Sequence, residues 1–178
     1  AHYLDMASVP TRGYAVERVI SRAVSSGSRF RNGDTLLARI TPCLENGKTA
    51  FVDFLNDNQV GWGSTEFIVL RPRAPLPAQY GYLIARSDGF RSFAIGKMTG
   101  SSGRQRVPTD ALSLFFAALP TKAICDIVAS IIQPMFRRMS AASRESKTLA
   151  TIRDTLLPKL ISGELRVRDA EHFVGKSA

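Results

Sequence analysis

The chain has 178 residues, of which 44% are apolar and 22% charged, a globular composition that excludes wholesale disorder and leaves room for one ordinary domain with an appendage. Its 24 Lys and Arg against 15 Asp and Glu give a net charge of +9, which points to a polyanionic partner, nucleic acid before membrane surface. No signal-type segment opens the chain, and its most apolar window, Ala111 to Phe136, is broken by Pro120, Lys122, Asp126 and Pro134, so no membrane span is expected.

Residues 1–120 read as a mixed domain of short strands and helices. Arg18 to Val24 alternates loosely and Ser25-Ser26-Gly27-Ser28 follows as a turn. Asn32-Gly33-Asp34 is a strong turn signal leading into Thr35 to Ile40, an aliphatic run expected to be a buried strand that Pro42 stops. Glu45-Asn46-Gly47-Lys48 turns the chain again into Thr49 to Phe54, making a hairpin. Asn56-Asp57-Asn58 and Gly61-Trp62-Gly63 read as a loop before a third strand at Thr65 to Leu70, and Pro72, Pro75 and Pro77 form a surface connector. Gln79 to Ser87 has helical spacing, with Tyr82, Ile84, Ala85 and then Phe90 and Phe93 on an apolar side. Val107 to Asp110 is a turn or helix start with Asp110 as N-cap, and Leu114 to Leu119 is a last strand ended by Pro120.

From Thr121 the period changes. Ile124, Val128, Ile131, Met135, Ala142, Leu149, Ile152 and Leu156 recur at steps suited to one face of a long helix. Pro134 is expected to kink it, because proline removes an intrahelical hydrogen bond and crowds the preceding turn. Pro158 and Ser162-Gly163 are expected to end it, Glu164 to Val167 to add a short strand, and residues 168–178 to be a loose tail. At 1.5 Å per residue, Thr121 to Leu157 would span roughly 55 Å, so the helix either projects and needs a partner for its stripe or folds back at Pro134.

The sequence offers little catalytic equipment. His2 and His172 lie near the two ends of the chain, which leaves no histidine for a triad or metal site in its body. Cys43 and Cys125 match no zinc or redox spacing and suit a reducing, cytoplasmic compartment. Glu66 stands where a dinucleotide fingerprint beginning at Gly61 would need its third glycine. No cofactor, metal or catalytic residue is therefore expected. The basic residues are better organised: Arg71 to Arg106 holds seven of them against the single acid Asp88. Within it, Gly100 and Gly103 allow the backbone of Thr99 to Arg106 to turn N–H groups toward an anion, while hydroxyls and two arginines add donors. An ordinary surface loop with solvated charges reads equally well.

Taken in order, Gly33 to Pro42, Glu45 to Lys48, Gly63 to Pro72, Thr99 to Val107 and Leu149 to Leu165 closely resemble segments of the specificity (S) subunits of type I restriction-modification enzymes. The resemblance covers about Gly33 to Val167. It implies a mixed α/β (α+β) DNA target recognition domain, residues 1–120, then a long coiled-coil-type spacer helix with a short strand, residues 121–167. It further implies a non-catalytic subunit that reads one half of a bipartite double-stranded DNA target. Modification (methyltransferase) subunits would carry the chemistry and a motor-nuclease restriction subunit would cut. A complete member has two such domains and two helices; this chain reads as one of each, begins Ala-His-Tyr, and by the resemblance is expected to lack the first segment of the recognition domain. A half-length subunit pairing with a second copy through Ile124, Val128, Ile131, Met135, Leu149, Ile152 and Leu156, or a fragment of a longer chain, would account for that. Ile124 also stands where family members often have Gln. A protein-binding scaffold and an autonomous DNA-modifying enzyme with unrecognised catalytic residues are the alternatives.

The candidate DNA-binding residues are Arg29, Arg31, Asn46, Lys48, Arg71, Arg73, Arg86, Arg91, Lys97, Ser101, Ser102, Arg104, Gln105 and Arg106. Segments shared by members that read different targets are poor base readers in principle. Thr99 to Arg106 and Ser64-Thr65-Glu66 are therefore expected to hold phosphate, shape loops or dock the methyltransferase. Base reading is expected of Arg29, Arg31, Arg73, Arg86 and Arg91, and Trp62 is expected in the core.

Overall fold

Gly33 adopts φ 90°, a conformation that glycine reaches without steric cost, and so turns the chain sharply from β3 (Ser28–Phe30) into β4 (Thr35–Ala38). The computed structural model describes residues 2–13, 15–23 and 26–166. β4 is the centre of a three-stranded antiparallel sheet of order β5-β4-β7, with β5 at Thr49–Phe51 and β7 at Phe67–Leu70. Thr35 pairs with Phe51 and Leu70, and Leu37 with Thr49 and Ile68. All four β4 residues are buried because the strand is covered on both faces. Leu36, Ala50 and Phe67 join a core with Leu4, Phe30 and Val52. Leu37 and Ile68 join a second core with Ala85, Phe90, Ala94 and Val107. Alternation along the strand thus divides one aliphatic run between two cores, which explains why the sequence reads as continuously apolar rather than period-two.

A second sheet of order β2-β1-β6-β3 covers the first core, with β1 at His2–Leu4, β2 at Ile20–Ser21 and β6 at Gly61–Gly63. β1 runs parallel to β6, and the other pairs are antiparallel. Three of these strands contradict the sequence reading. Gly61 to Gly63 is a strand rather than a loop, His2–Leu4 and Ser28–Phe30 were not anticipated, and of the expected Arg18 to Val24 run the described residues contribute Ile20–Ser21, with Val24 outside them. The glycines of β6 are there for space: a Cβ at Gly61 would overlap the Phe30 ring, and one at Gly63 would press on the Phe67 ring. That close approach outweighs the low strand propensity of glycine.

Against the second core lie α1 (Gln79–Arg86) and α2 (Asp88–Gly96). Ser87 serves both helices: its hydroxyl donates to the Ile84 carbonyl at 2.8 Å and accepts from the Phe90 N–H at 3.3 Å. Asp110 does not cap a helix. It opens a 3-10 turn, Asp110–Leu114, whose cap position is Thr109 with no side-chain bond. Leu114 to Leu119 forms no strand: Phe115 packs on Phe90 and Phe93 at ring distances of 5.1 and 5.3 Å, and Leu114, Phe116 and Leu119 are exposed. The run has β propensity but pairs with no strand among the described residues, and propensity alone does not make a ladder.

α3 spans Lys122–Ile161, 40 residues, and continues unbroken past both Pro134 and Pro158. The stop therefore lies beyond Pro158, where Gly163 takes φ 75° and the Leu165 N–H donates to the Lys159 carbonyl at 3.0 Å. Glu164 to Arg166 form no strand; Val167 and the expected tail lie outside the described residues. The chain divides into two compact units, Ala1–Arg137 and Arg138–Ala178, so residues 122–137 of α3 belong with the first. There Cys125 and Phe136 are buried, and the Phe136 ring meets Phe51 at 5.1 Å and Tyr82 at 5.7 Å, edge to face. Ile124, Ile127, Ile131 and Met135 are exposed at helical spacing, and Val128 is half-buried between the two faces. In the second unit Leu149, Leu157 and Ile161 are exposed, while Ile152 and Leu156 are half-buried. No helix among the described residues is long and apolar enough to cross a membrane.

Candidate functional site

The candidate residues fall into several local settings, and the largest difference among them is how far each cation is already committed. Arg71 leaves the end of β7 to grip the carboxylate of Asp34, with Nε–Oδ1 at 2.6 Å and Nη2–Oδ2 at 2.7 Å. Asp34 is buried, and Arg71 is 46% exposed at its side chain. Hydrogen bonding to Asp34, the largest influence, raises the affinity of this guanidinium for its proton. Lys48 Nζ donates to the carbonyls of Met6 and Ala7 at 2.8 and 3.2 Å.

Arg86 is the most heavily bonded. Its two terminal nitrogens donate to the carbonyls of Thr11, Gly47, Gly13 and Thr49 at 2.8 to 3.2 Å, and Nε donates to the Tyr82 hydroxyl at 3.2 Å. The fork of a guanidinium suits this task, tying the segment before β2 to the β4–β5 turn and to α1. Arg91 Nη2 donates to the Glu45 carbonyl at 2.9 Å, and its Nε is buried without a partner. Asn46, Arg86 and Arg91 come together in one polar pocket, which Thr11, Arg12 and Glu45 complete.

Thr99 and Arg106 pair as the base of a small hairpin, with N–H to O distances of 3.0 and 2.8 Å. Gly100 at φ 122° and Gly103 at φ 77° occupy the positive-φ region that the sequence reserves for them. The hairpin is stitched to the strand-end segment by Thr41 N–H to Gln105 O at 3.0 Å and Val107 N–H to Arg39 O at 2.9 Å. Arg106 forks onto Glu66, with Nη2–Oε1 at 2.7 Å, and this hydrogen-bonded pair raises its proton affinity. Ser101, Ser102 and Arg104 are exposed at the tip, and Gln105 is half-buried.

Arg29 lies on β3 directly opposite Trp62 of β6, its guanidinium 4.6 Å from the centre of the indole. Trp62 is half-buried rather than a core residue. The row continues across the sheet, because Trp62 pairs with Tyr3 and the Arg22 guanidinium lies 4.9 Å over the Tyr3 ring. Arg31, two residues beyond Arg29, walls a cleft with Asn32 and residues 56–60. Lys97 sits 5.6 Å over the Phe93 ring. Arg31, Arg73 and Arg104 are exposed, and their side chains meet no acid or carbonyl partner among the described residues. Reasoning from sequence missed Arg12, Arg22 and residues 56–60. The first two sit outside the densest basic stretch, and the third reads as punctuation between strands. No three of His, Cys, Asp and Glu gather into a metal-binding group among the described residues.

No family model matches the chain. Its sequence is 42% identical over 82 residues to the type I restriction enzyme EcoAI specificity subunit of Escherichia coli, covering 46% of this chain and 14% of that protein. The EcoEI specificity subunit of the same organism is 43% identical over 82 residues, with the same 46% and 14% coverage. The MjaIX specificity subunit of Methanocaldococcus jannaschii is 37% identical over 54 residues, covering 30% and 12%. A solved chain from work on complex assembly and conformational transition of the type I R-M system superposes with a TM-score of 0.56 at 25% identity, over 87% of this chain and 42% of that one. The HsdS subunit from Thermoanaerobacter tengcongensis shares the fold, with a TM-score of 0.52 at 21% identity, over 86% and 42%. This chain therefore spans less than half the length of the relatives it matches.

Proposed function

We propose that this chain, a relative of the specificity subunits of type I restriction enzymes with one recognition domain and one long helix, binds one half of a bipartite double-stranded DNA target and performs no chemistry itself. Methylation and cleavage belong to modification and restriction subunits that the recognition domain directs to the site, in the cytoplasm. Residues 1–120 are the reader and residues 121–167 the spacer, with the second half of the target read by another copy or by the rest of a longer chain.

The observation that carries this reading is the division of labour among the cations. Arg71, Arg86, Arg106 and Lys48 are bonded into the fold, whereas Arg29, Arg31, Arg73, Lys97 and Arg104 are exposed and make no side-chain hydrogen bond or ion pair among the described residues. Such uncommitted cations are available for the phosphate contacts that give affinity and the base-edge contacts that give sequence preference, and bonded ones hold the loops that carry them. Ser101, Ser102 and Arg104, at the tip of the glycine-bearing hairpin, are assigned to phosphate. The apolar residues Ile124, Ile127, Ile131 and Met135, exposed at spacings of three and four, supply a seam for a helix of a partner.

The test is titration of duplexes, at several salt concentrations, against the chain together with its modification partner. Binding is expected to prefer one sequence and to fall steeply with salt. Arg104→Ala is expected to weaken all sequences alike and to reduce the salt slope by about one. A flat salt response, or turnover of DNA by the chain alone with Mg²⁺ and S-adenosylmethionine, would overturn the reading.

A further inference from the structure

We propose that the cleft walled by Arg31 and the β5–β6 connection at residues 56–60 is where base edges are read, so that these residues set part of the target sequence. The inference rests on the DNA-recognition reading above and adds where in the molecule sequence is discriminated.

The cleft encloses about 300 Å³ and its walls are fixed from behind. The Asn32 side chain donates to the Leu55 carbonyl at 2.8 Å and accepts from the Leu55 N–H at 3.1 Å. Gln59 Oε1 accepts the Asn56 N–H at 3.0 Å, and Gln59 Nε2 lies 2.7 Å from His2 Nδ1. The Arg31 N–H donates to the buried Asp34 carboxylate at 2.8 Å. In contrast, the Arg31 guanidinium, the Asn56 and Asn58 amides and the Asp57 carboxylate are exposed and make no side-chain hydrogen bond or ion pair among the described residues. The connection thus joins a bonded backbone frame to unspent donors and acceptors, so little backbone ordering remains to be done on binding.

The residue types decide the ligand. An arginine fork matches O6 and N7 of guanine, an asparagine amide matches N6 and N7 of adenine, and a carboxylate accepts from N4 of cytosine. Val60, 48% exposed, offers apolar contact to a thymine methyl. A simple phosphate pocket would not carry Asp57 in the same wall as Arg31, because a carboxylate repels phosphate; a groove that presents both donors and acceptors accommodates both. Phosphate contact falls to the adjoining sheet. Arg29 precedes Arg31 by two residues and is oriented by Trp62, which precedes Tyr3 and Arg22 in the same cross-strand row.

The experiment selects from a random-sequence duplex library with the chain in complex with its modification subunits, comparing wild type with Arg31→Ala and Asn56→Ala. Each variant is expected to lose preference at one or two base positions by about 5- to 100-fold, with melting temperature and salt slope unchanged. A selective wild type whose preference survives both substitutions overturns the cleft assignment and leaves the recognition reading standing. So does an Arg31→Ala variant that weakens all sequences equally with a shallower salt slope, which would make Arg31 a phosphate contact. A wild type without any preference overturns the recognition reading itself.

Discussion

Replacing Arg71 by alanine separates the two roles open to that residue. In the structure its guanidinium makes two charge-assisted bonds, 2.6 and 2.7 Å long, to a carboxylate that is itself buried. Breaking a buried pair by removing one partner typically costs about 3–5 kcal/mol, because the remaining charge is stranded away from water. Two features pull the figure down here. Arg71 is 46% exposed at its side chain, so water enters the space it vacates. The Arg31 N–H, 2.8 Å from Asp34 Oδ2, also continues to serve the carboxylate. About 2–3 kcal/mol remains, which for a chain of this size lowers the melting temperature by roughly 5–10 °C. Thermal melting followed by circular dichroism measures it. A cycle with Asp34→Asn should show that the double variant loses less than the two single losses combined. The reasoning is refuted if Arg71→Ala melts within about 2 °C of wild type. A salt slope of DNA binding that drops by about one at unchanged stability would instead make Arg71 a phosphate contact.

Arg86→Ala should cost about 2–3 kcal/mol in urea denaturation because it strands several backbone carbonyls, and Arg86→Lys should restore little of the loss, since an ammonium has no fork to span them. Phe136→Ala should lower stability by about 3 kcal/mol through the cavity left against Phe51 and Tyr82, read by the same denaturation. The carboxyl of Asp5 is held below its ordinary range, chiefly by hydrogen bonding to Ser8 and with help from Arg18 and Lys48, against the opposing effect of burial. A depressed carboxyl contributes stability that is complete above about pH 4 and disappears as the pH falls through the lowered value; Asp5→Asn should therefore flatten the acid limb of a stability-against-pH curve while changing its slope near neutrality little.

What was legible in the sequence follows from how local the causes are. The β4–β5 hairpin announces itself because a turn, an aliphatic run and a second turn stand side by side in the chain. The left-handed glycines of the Thr99–Arg106 hairpin and the long helix are legible for the same reason. β1 and β6 were not, since their pairing joins Tyr3 to Trp62 across most of the domain, and glycines that read as punctuation serve to admit the Phe30 and Phe67 rings. Among the candidate site residues, composition marked the basic stretch. It could not separate Arg104, exposed at a loop tip, from Arg86, whose donors are taken by carbonyls distant in sequence. Pro158 reads as a helix end along the chain, yet α3 continues through it to Ile161.

Because neighbouring residues of β4 serve opposite interiors, inserting or deleting a single residue there would send Leu36 toward the helices and Leu37 toward the second sheet, and both packings would fail together. Residues 56–60 belong to neither interior. Substitutions at the exposed positions Asn56, Asp57 and Val60 meet little folding penalty, so new binding preferences can arise at that edge while the scaffold stays intact.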